Sequence, residues 1–170
     1  MRILKLVFFS IIIIFGVVTI ISLFIPSEIR VAKLISIQTV PVKLWAEIDD
    51  LKQWSRWNPF FSDTVNQKIE YLDTSNGRVT AMKVDNTVIT WKEMKTNEHI
   101  AEMQNDGHQL LVTGWKILPY TNPDSLIVQW YTDFHLRWYP WEKFSSLLFE
   151  KIHGSRMQQG LENLKALLEK

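Results

Sequence analysis

A seven-stranded antiparallel sheet curled around a long C-terminal helix, an α+β domain preceded by one N-terminal transmembrane helix, is the architecture predicted by three features of the sequence. Twenty consecutive uncharged residues run from Leu6 to Ile25. Turn signals at short intervals then divide the middle of the chain into six strand-like segments. Finally, an apolar stripe extends from Trp141 to Leu168. The predicted order after the first helix is strand, two helices, six strands, helix.

As a helix, the stretch "LVFFSIIIIFGVVTIISLFI" spans about 30 Å, the hydrocarbon thickness of a bilayer. Ser10, Gly16, Thr19 and Ser22 are tolerated inside such a helix, and Pro26 ends it. A cleavable secretory signal is the rival reading, because Arg2 and Lys5 make a positive leader. Against it, the run exceeds the roughly seven to fifteen apolar residues of a signal sequence, and "SLFIPSE" offers no small-x-small cleavage site. The expectation is an uncleaved anchor over residues 1–27 and one domain over 28–170. Arg2, Lys5 and the amine precede the span, whereas Glu28 partly offsets Arg30 and Lys33 after it. This bias places the N-terminus in the cytoplasm and the domain on the extracytoplasmic side.

The domain opens with "EIRVAKLISIQTV", whose second half alternates Ile35 and Ile37 with Ser36 and Gln38, as a half-buried strand does. Pro41 stands at a helix-starting position, and Leu44, Trp45, Ile48 and Leu51 recur at helical spacing over about 42 to 51. Next comes "LKQWSRWNPFFSD", in which Pro59 limits a second helix to a couple of turns. Its rings have three competing uses: core packing, closure of a cavity, or an aromatic belt in a membrane interface. Trp54 and Trp57, three apart, share one side of the short helix.

Hairpin signals follow at "SNG" 75–77, "VDN" 84–86, "TNE" 96–98, "NDG" 105–107 and "TNPD" 121–124. In the last strand Leu126, Val128, Trp130, Thr132, Phe134 and Leu136 share one face. Gln129, Tyr131, Asp133, His135 and Arg137 share the other, predicted to be wet. From Pro140 a single helix is expected to run to the end, with Trp141, Phe144, Leu147, Leu148, Ile152, Met157, Leu161, Leu164 and Leu168 packing inward.

Composition excludes several functions. The chain of 170 residues suits one well-buried domain. A net charge of +1 supplies no field for a phosphate backbone, so nucleic acid is not an expected partner. With no cysteine there is no disulfide, thiol nucleophile or thiolate metal site. His99, His108, His135 and His153 are scattered singly and read as surface groups, and no motif asks for a metal or another cofactor. There is no nucleophile elbow and no phosphate-binding loop, so no catalytic residue is assigned. Glu47, Asp49 and Asp50 read as a solvated helix face. Lys83, Lys92 and Lys116 read as snorkelling stems. Eight tryptophans point instead to a deep core or a pocket.

"ISIQTVPVKLWAEIDDLKQWSRWNPF", together with the terminal "GLENLKALLE", resembles the polyketide cyclase and START-like superfamily, the SRPBCC or helix-grip fold. The likeness covers about residues 29 to 169. It implies a deep cavity between sheet and terminal helix that takes an apolar small molecule or a lipid, with the aromatic stretch "WSRWNPFF" at 54–61 closing one end. Members include lipid carriers, aromatase and cyclase enzymes, hormone receptors and chaperone cofactors, so the fold alone does not choose among them. The expected ligand-binding residues are Trp57, Phe60, Phe61, Trp115, Trp130, Phe134, Leu148 and Ile152. Membrane-anchored binding of a hydrophobic molecule is the leading expectation, with the membrane engaged through residues 6–25. A cyclase-like enzyme would need a titratable group facing the cavity, and a protein-interaction module would have a cavity filled by its own side chains.

Overall fold

The computed structural model describes residues 2–62, 67–105, 110–119 and 125–170. Helix α1 (Arg2–Leu23) leads into β1 (Glu28–Ile37), α2 (Pro41–Asp49), a short 3-10 turn (Leu51–Gln53) and α3 (Trp54–Trp57). Six strands follow: β2 (Ile69–Ser75), β3 (Arg78–Val84), β4 (Thr87–Lys95), β5 (Glu98–Asn105), β6 (Leu110–Leu118) and β7 (Leu126–His135). The chain closes with α4 (Pro140–Ser146), a π-helical turn (Glu150–Gly154) and α5 (Ser155–Leu168).

All seven strands form one antiparallel sheet in the order β1-β7-β6-β5-β4-β3-β2, so the meander is continuous and β1 completes it beside β7. Two of the predicted turns are explained by backbone chemistry. Asn76 and Gly77 have φ of 52° and 76°, and Asp85 has φ of 53°, values that favour Asn, Asp and Gly. The predicted turns at 105–107 and 121–124 lie wholly or mostly outside the described residues, as does His108.

The predicted inward face of β7 holds: Val128, Trp130, Phe134 and Leu136 are buried, while His135 is exposed. Tyr131 departs from its predicted wet environment. Its ring lies across Gly114, its register partner on β6, where any Cβ would collide with it. The Arg30 guanidinium covers the ring at 4.2 Å, and the hydroxyl donates to Glu98 Oε1 at 3.0 Å. Burial first, and the bond to Glu98 second, push the Tyr131 pKa up to about 12. Lys92 is exposed and paired with Glu102, and a bulge between Trp91 and Glu93 shifts the register of β4 there.

The tryptophans pack around α2 for a specific reason. The last carbonyls of a helix have no intrahelical partner. Here three indole N–H groups supply one: Trp57 to Glu47 O at 3.3 Å, Trp54 to Ile48 O at 2.7 Å and Trp91 to Asp49 O at 3.0 Å. Trp54 and Trp115 lie 4.9 Å apart, and Trp115 stacks on Trp130 at 5.5 Å. Packing and hydrogen bonding thus coincide at Trp54, Trp57 and Trp91, whereas Trp115 is held by packing alone.

Two polar readings are corrected here. Asp49 is buried, not solvated: its Oδ1 lies 2.6 Å from His99 Nδ1 and its Oδ2 accepts from Arg78 at 2.9 Å. His99 is buried as well, stacked on Trp45 at 3.7 Å, so it pins β5 to α2. Their helical and strand positions alone carry no hint of this, because the partners are 50 residues apart in sequence.

The terminal helix is also interrupted. Met157, Leu161 and Leu164 on α5 are buried as predicted, but Trp141, Leu147, Leu148 and Ile152 are exposed. A π turn holds about one extra residue and rotates what precedes it by about 100° relative to a continuous α-helix. Ahead of it, Leu147 N and Leu148 N bond three residues back, to Phe144 O and Ser145 O, so α4 is a separate helix and the stripe does not continue across the two breaks.

Candidate functional site

A cavity of about 570 Å³ opens between α5 and one end of the sheet. Its apolar wall is made by Phe60, Phe61, Val84, Met103, Leu111, Phe134 and Met157. Polar groups from Gln67, Thr132, His153, Asn105 and the Asp85–Thr87 turn complete it. The strand residues lie at the C-terminal ends of β3, β5 and β7 and the N-terminal ends of β4 and β6. In an antiparallel meander these ends coincide, and they coincide with the start of β1, where Ile29 pairs with Phe134. The cavity thus occupies the end of the domain at which α1 joins.

Phe60 and Phe61 are aimed by the residues before them. Trp57 and Trp54 fix α3 into the core, and Asn58 then turns the chain: its Oδ1 accepts from Phe60 N at 3.1 Å and its carbonyl from Phe61 N at 3.0 Å. Gln67 donates to Phe60 O at 3.1 Å, leaving its buried Oε1 without a partner among the described residues. A buried acceptor left open in a cavity wall is a group that a bound hydroxyl or N–H could satisfy.

His153 lies in the π turn and faces three rings, Phe134 at 4.9 Å, Phe149 at 5.4 Å and Phe60 at 6.2 Å. Burial, and secondarily the nearby positive charge of Arg156, hold its pKa below the ordinary 6.5. At neutral pH the imidazole is therefore uncharged. Because the unfolded chain binds the proton more readily, this group's contribution to stability is complete above pH 6.5 and is lost as pH falls toward the depressed value. Among the described residues Asp85 lines the same space, and Arg156 lies near His153 and over the Phe60 ring at 5.5 Å. An NMR titration is expected to place the His153 midpoint below 6.5, and His153→Gln to remove this component of the acid loss of stability. A midpoint at or above the ordinary value would contradict the described burial.

Among the described residues no group of three His, Cys, Asp or Glu side chains is arranged to hold a metal ion.

The family model described as polyketide cyclase / dehydrase and lipid transport matches residues 28–169. The chain belongs to this family. Among curated proteins, none matches the chain. Solved structures do resemble this polyketide cyclase family member. A START superfamily protein from Mycobacterium smegmatis is 17% identical, with a TM-score of 0.58 over 82% of this chain and 97% of that one. The Zhui aromatase/cyclase from Streptomyces sp. R1128 is 14% identical, with a TM-score of 0.59 over 84% and 94%. At these identities the likeness establishes the helix-grip fold. Membership of the family supports a hydrophobic ligand-binding or cyclase-like function.

The structure separates the expected ligand-binding residues of this family member into three groups. Phe60, Phe61 and Phe134 line the cavity. Trp57, Trp115 and Trp130 do not: they are fully packed against one another and belong to the core. Leu148 and Ile152 are exposed, on the outer side of the rotated segment, and are removed from the lining. Sequence reasoning missed Met103, Leu111, Thr132, His153 and Met157 as wall residues. Met157 stood on the predicted stripe. His153 follows Ile152 directly, and only the π turn puts it, rather than Ile152, on the inner side.

Proposed function

We propose that this chain is a membrane-anchored binder of an apolar small molecule or lipid, held in the cavity between the sheet and α5. The observation that carries the reading is the cavity itself, about 570 Å³ of space walled by aromatic, Met and branched aliphatic side chains with a few polar groups among them. Such a pocket removes apolar ligand surface from water, and Gln67 Oε1 and Thr132 supply places for a polar end. Helix α1 supports the membrane part: residues Ile3–Leu23 are long and apolar enough to cross a bilayer, and they lie almost wholly outside the packed domain. The charge bias around the span supports an extracytoplasmic domain.

His153 favours a second reading. A neutral, desolvated imidazole on a cavity wall is what proton transfer to or from an apolar substrate would require of a cyclase-like enzyme. The two readings share one site. Native mass spectrometry of the detergent-extracted chain tests both: a co-purifying apolar molecule that leaves unchanged supports binding, and its conversion to a cyclised or dehydrated product supports catalysis. Recovery of only empty protein from membranes, with no uptake of apolar probes, would count against both.

Two aromatic truncations refine the test. Phe61→Ala is expected to weaken binding of a fluorescent fatty-acid analogue while costing the apo domain less than full burial would, because one side of the ring faces the cavity. Trp54→Ala, at a completely buried position, is expected to lower stability in proportion to the area it buries, at about 25 cal/mol per Å². Unchanged probe affinity in Phe61→Ala would remove this ring from the binding site.

A further inference from the structure

Helix α4 is built inside out. Its buried side chains are Pro140, Lys143 and Ser146, whereas Trp141 and Leu147, at its start and just past its end, are 61% and 66% exposed. Trp138 before it and Leu148 after it are also exposed, at 62% and 56%. A surface of this composition is costly in water and uncommon on a solvated monomer. Trp and Tyr, with an apolar body and a polar edge, favour the headgroup level of a bilayer, and Tyr139 stacks on Trp141 at 4.8 Å within this same patch.

The buried lysine shows where the patch sits. Lys143 Nζ donates to Ile25 O at 2.9 Å and to Ser27 Oγ at 2.7 Å, tying α4 to the residues that immediately follow α1. An ammonium there both fills an open carbonyl and complements the negative end of the helix dipole. Leu136 N, at the end of β7, donates to Ser27 O at 2.7 Å and closes the same junction. Phe24 at the end of α1 is exposed as well. The apolar patch is therefore continuous with the point at which α1 would leave a membrane.

We propose that the outer face of 138–148 is a bilayer-docking surface, lying in the headgroup region of the membrane that α1 crosses. This rests on the anchored reading of α1. Its consequence concerns the source of the ligand. Docking sets the sheet end that bears Phe134, Leu111 and the Asp85–Thr87 turn nearest the membrane, so the cavity's ligand is a molecule dissolved in the bilayer rather than one delivered through water. The ties from Lys143 to Ile25 and Ser27 hold the inverted helix beside the bilayer that α1 would cross.

The test uses the full chain in phosphatidylcholine vesicles. The natural chain has no cysteine, so single cysteines carrying an environment-sensitive label can be introduced by Leu147→Cys and, as a control, Met94→Cys. Met94 is exposed near the far end of β4, away from α1. Quenching by lipids with a spin label near the headgroup is expected to be several-fold stronger at 147 than at 94. Adding Leu148→Glu and Phe144→Glu to the labelled Leu147→Cys chain is expected to abolish the difference while the chain still resists carbonate extraction. Equal, weak quenching at both positions in a chain that resists extraction would overturn the docking surface and leave the anchor standing. Loss of the chain on extraction would instead overturn the anchor, and the docking surface with it. Protection of residue 147 only in native membranes, never in pure lipid, would assign the patch to a protein partner and overturn the proposal.

Discussion

Trp130→Ala is expected to lower the unfolding free energy by about 3–5 kcal/mol, the range for truncating a large aromatic in a closely packed core. The ring is 2% exposed and contacts Trp115 at 5.5 Å, Trp57 at 5.7 Å and Phe60 at 6.2 Å. Trp57 is held by its indole bond to Glu47 O, and Trp115 is fully buried against four other indoles, so these rings have little freedom to collapse into the space. The lost bond from Trp130 Nε1 to Thr113 Oγ1, at 2.8 Å, adds less, because that hydroxyl keeps Tyr131 O as an acceptor at 3.1 Å. Gln129→Ala, one residue away on the opposite face, is expected to stay within about 0.5 kcal/mol of the natural chain. Urea titration of both variants in the same detergent, followed by near-ultraviolet circular dichroism, checks the pair. Equal costs would mean that the facing of β7 is misassigned.

Gly160→Val is expected to cost about 3 kcal/mol, the upper part of the overpacking range. A Cβ at this position would stand 2.7 Å from the Trp130 ring and 3.0 Å from Pro59 Cδ. Neither obstacle is the flexible end of a long side chain, so the helix itself would have to move. Glycine inside a helix ordinarily costs about 1 kcal/mol against alanine, and here the close approach of α5 to the "WNPF" segment is what that cost permits. The two sites are coupled. In the Trp130→Ala background the valine has somewhere to go, and its cost is expected to shrink markedly. Strict additivity of the two changes would show that the clash at Gly160 is relieved elsewhere.

Core and cavity occupy the same interior but are made by different residues. Trp54, Trp57, Trp91, Trp115 and Trp130 fill the half that abuts the C-terminal end of α2, where carbonyls need donors and indoles can supply them. The half nearer α1 is lined by Phe, Met and branched side chains, which cannot make those bonds. The stretch "WSRWNPFF" straddles the boundary: its two tryptophans belong to the first half and its two phenylalanines to the second.

Much of this was legible in the sequence because it depends on local rules. The apolar run of 6–25, the Pro41 helix start, the Asn-Gly turn at 76–77 and the alternation through β7 each follow from side-chain chemistry within a few residues, and together they determined the order of elements. The resemblance to the helix-grip family then supplied the sheet closure and the expectation of a cavity. What only the tertiary structure decided are relations between distant residues. Asp49 and His99 look solvated until α2 and β5 are brought together. The stripe from Trp141 to Ile152 looks like core because helical periodicity assumes an unbroken helix. Two breaks, the turn at Leu147–Leu148 and the π turn at Glu150–Gly154 with the rotation that its extra residue brings, leave that half of the stripe facing outward. The same rotation replaces Ile152 with His153 at the cavity wall, because the orientation of a side chain on a helix depends on every hydrogen-bond step between it and the part that is packed.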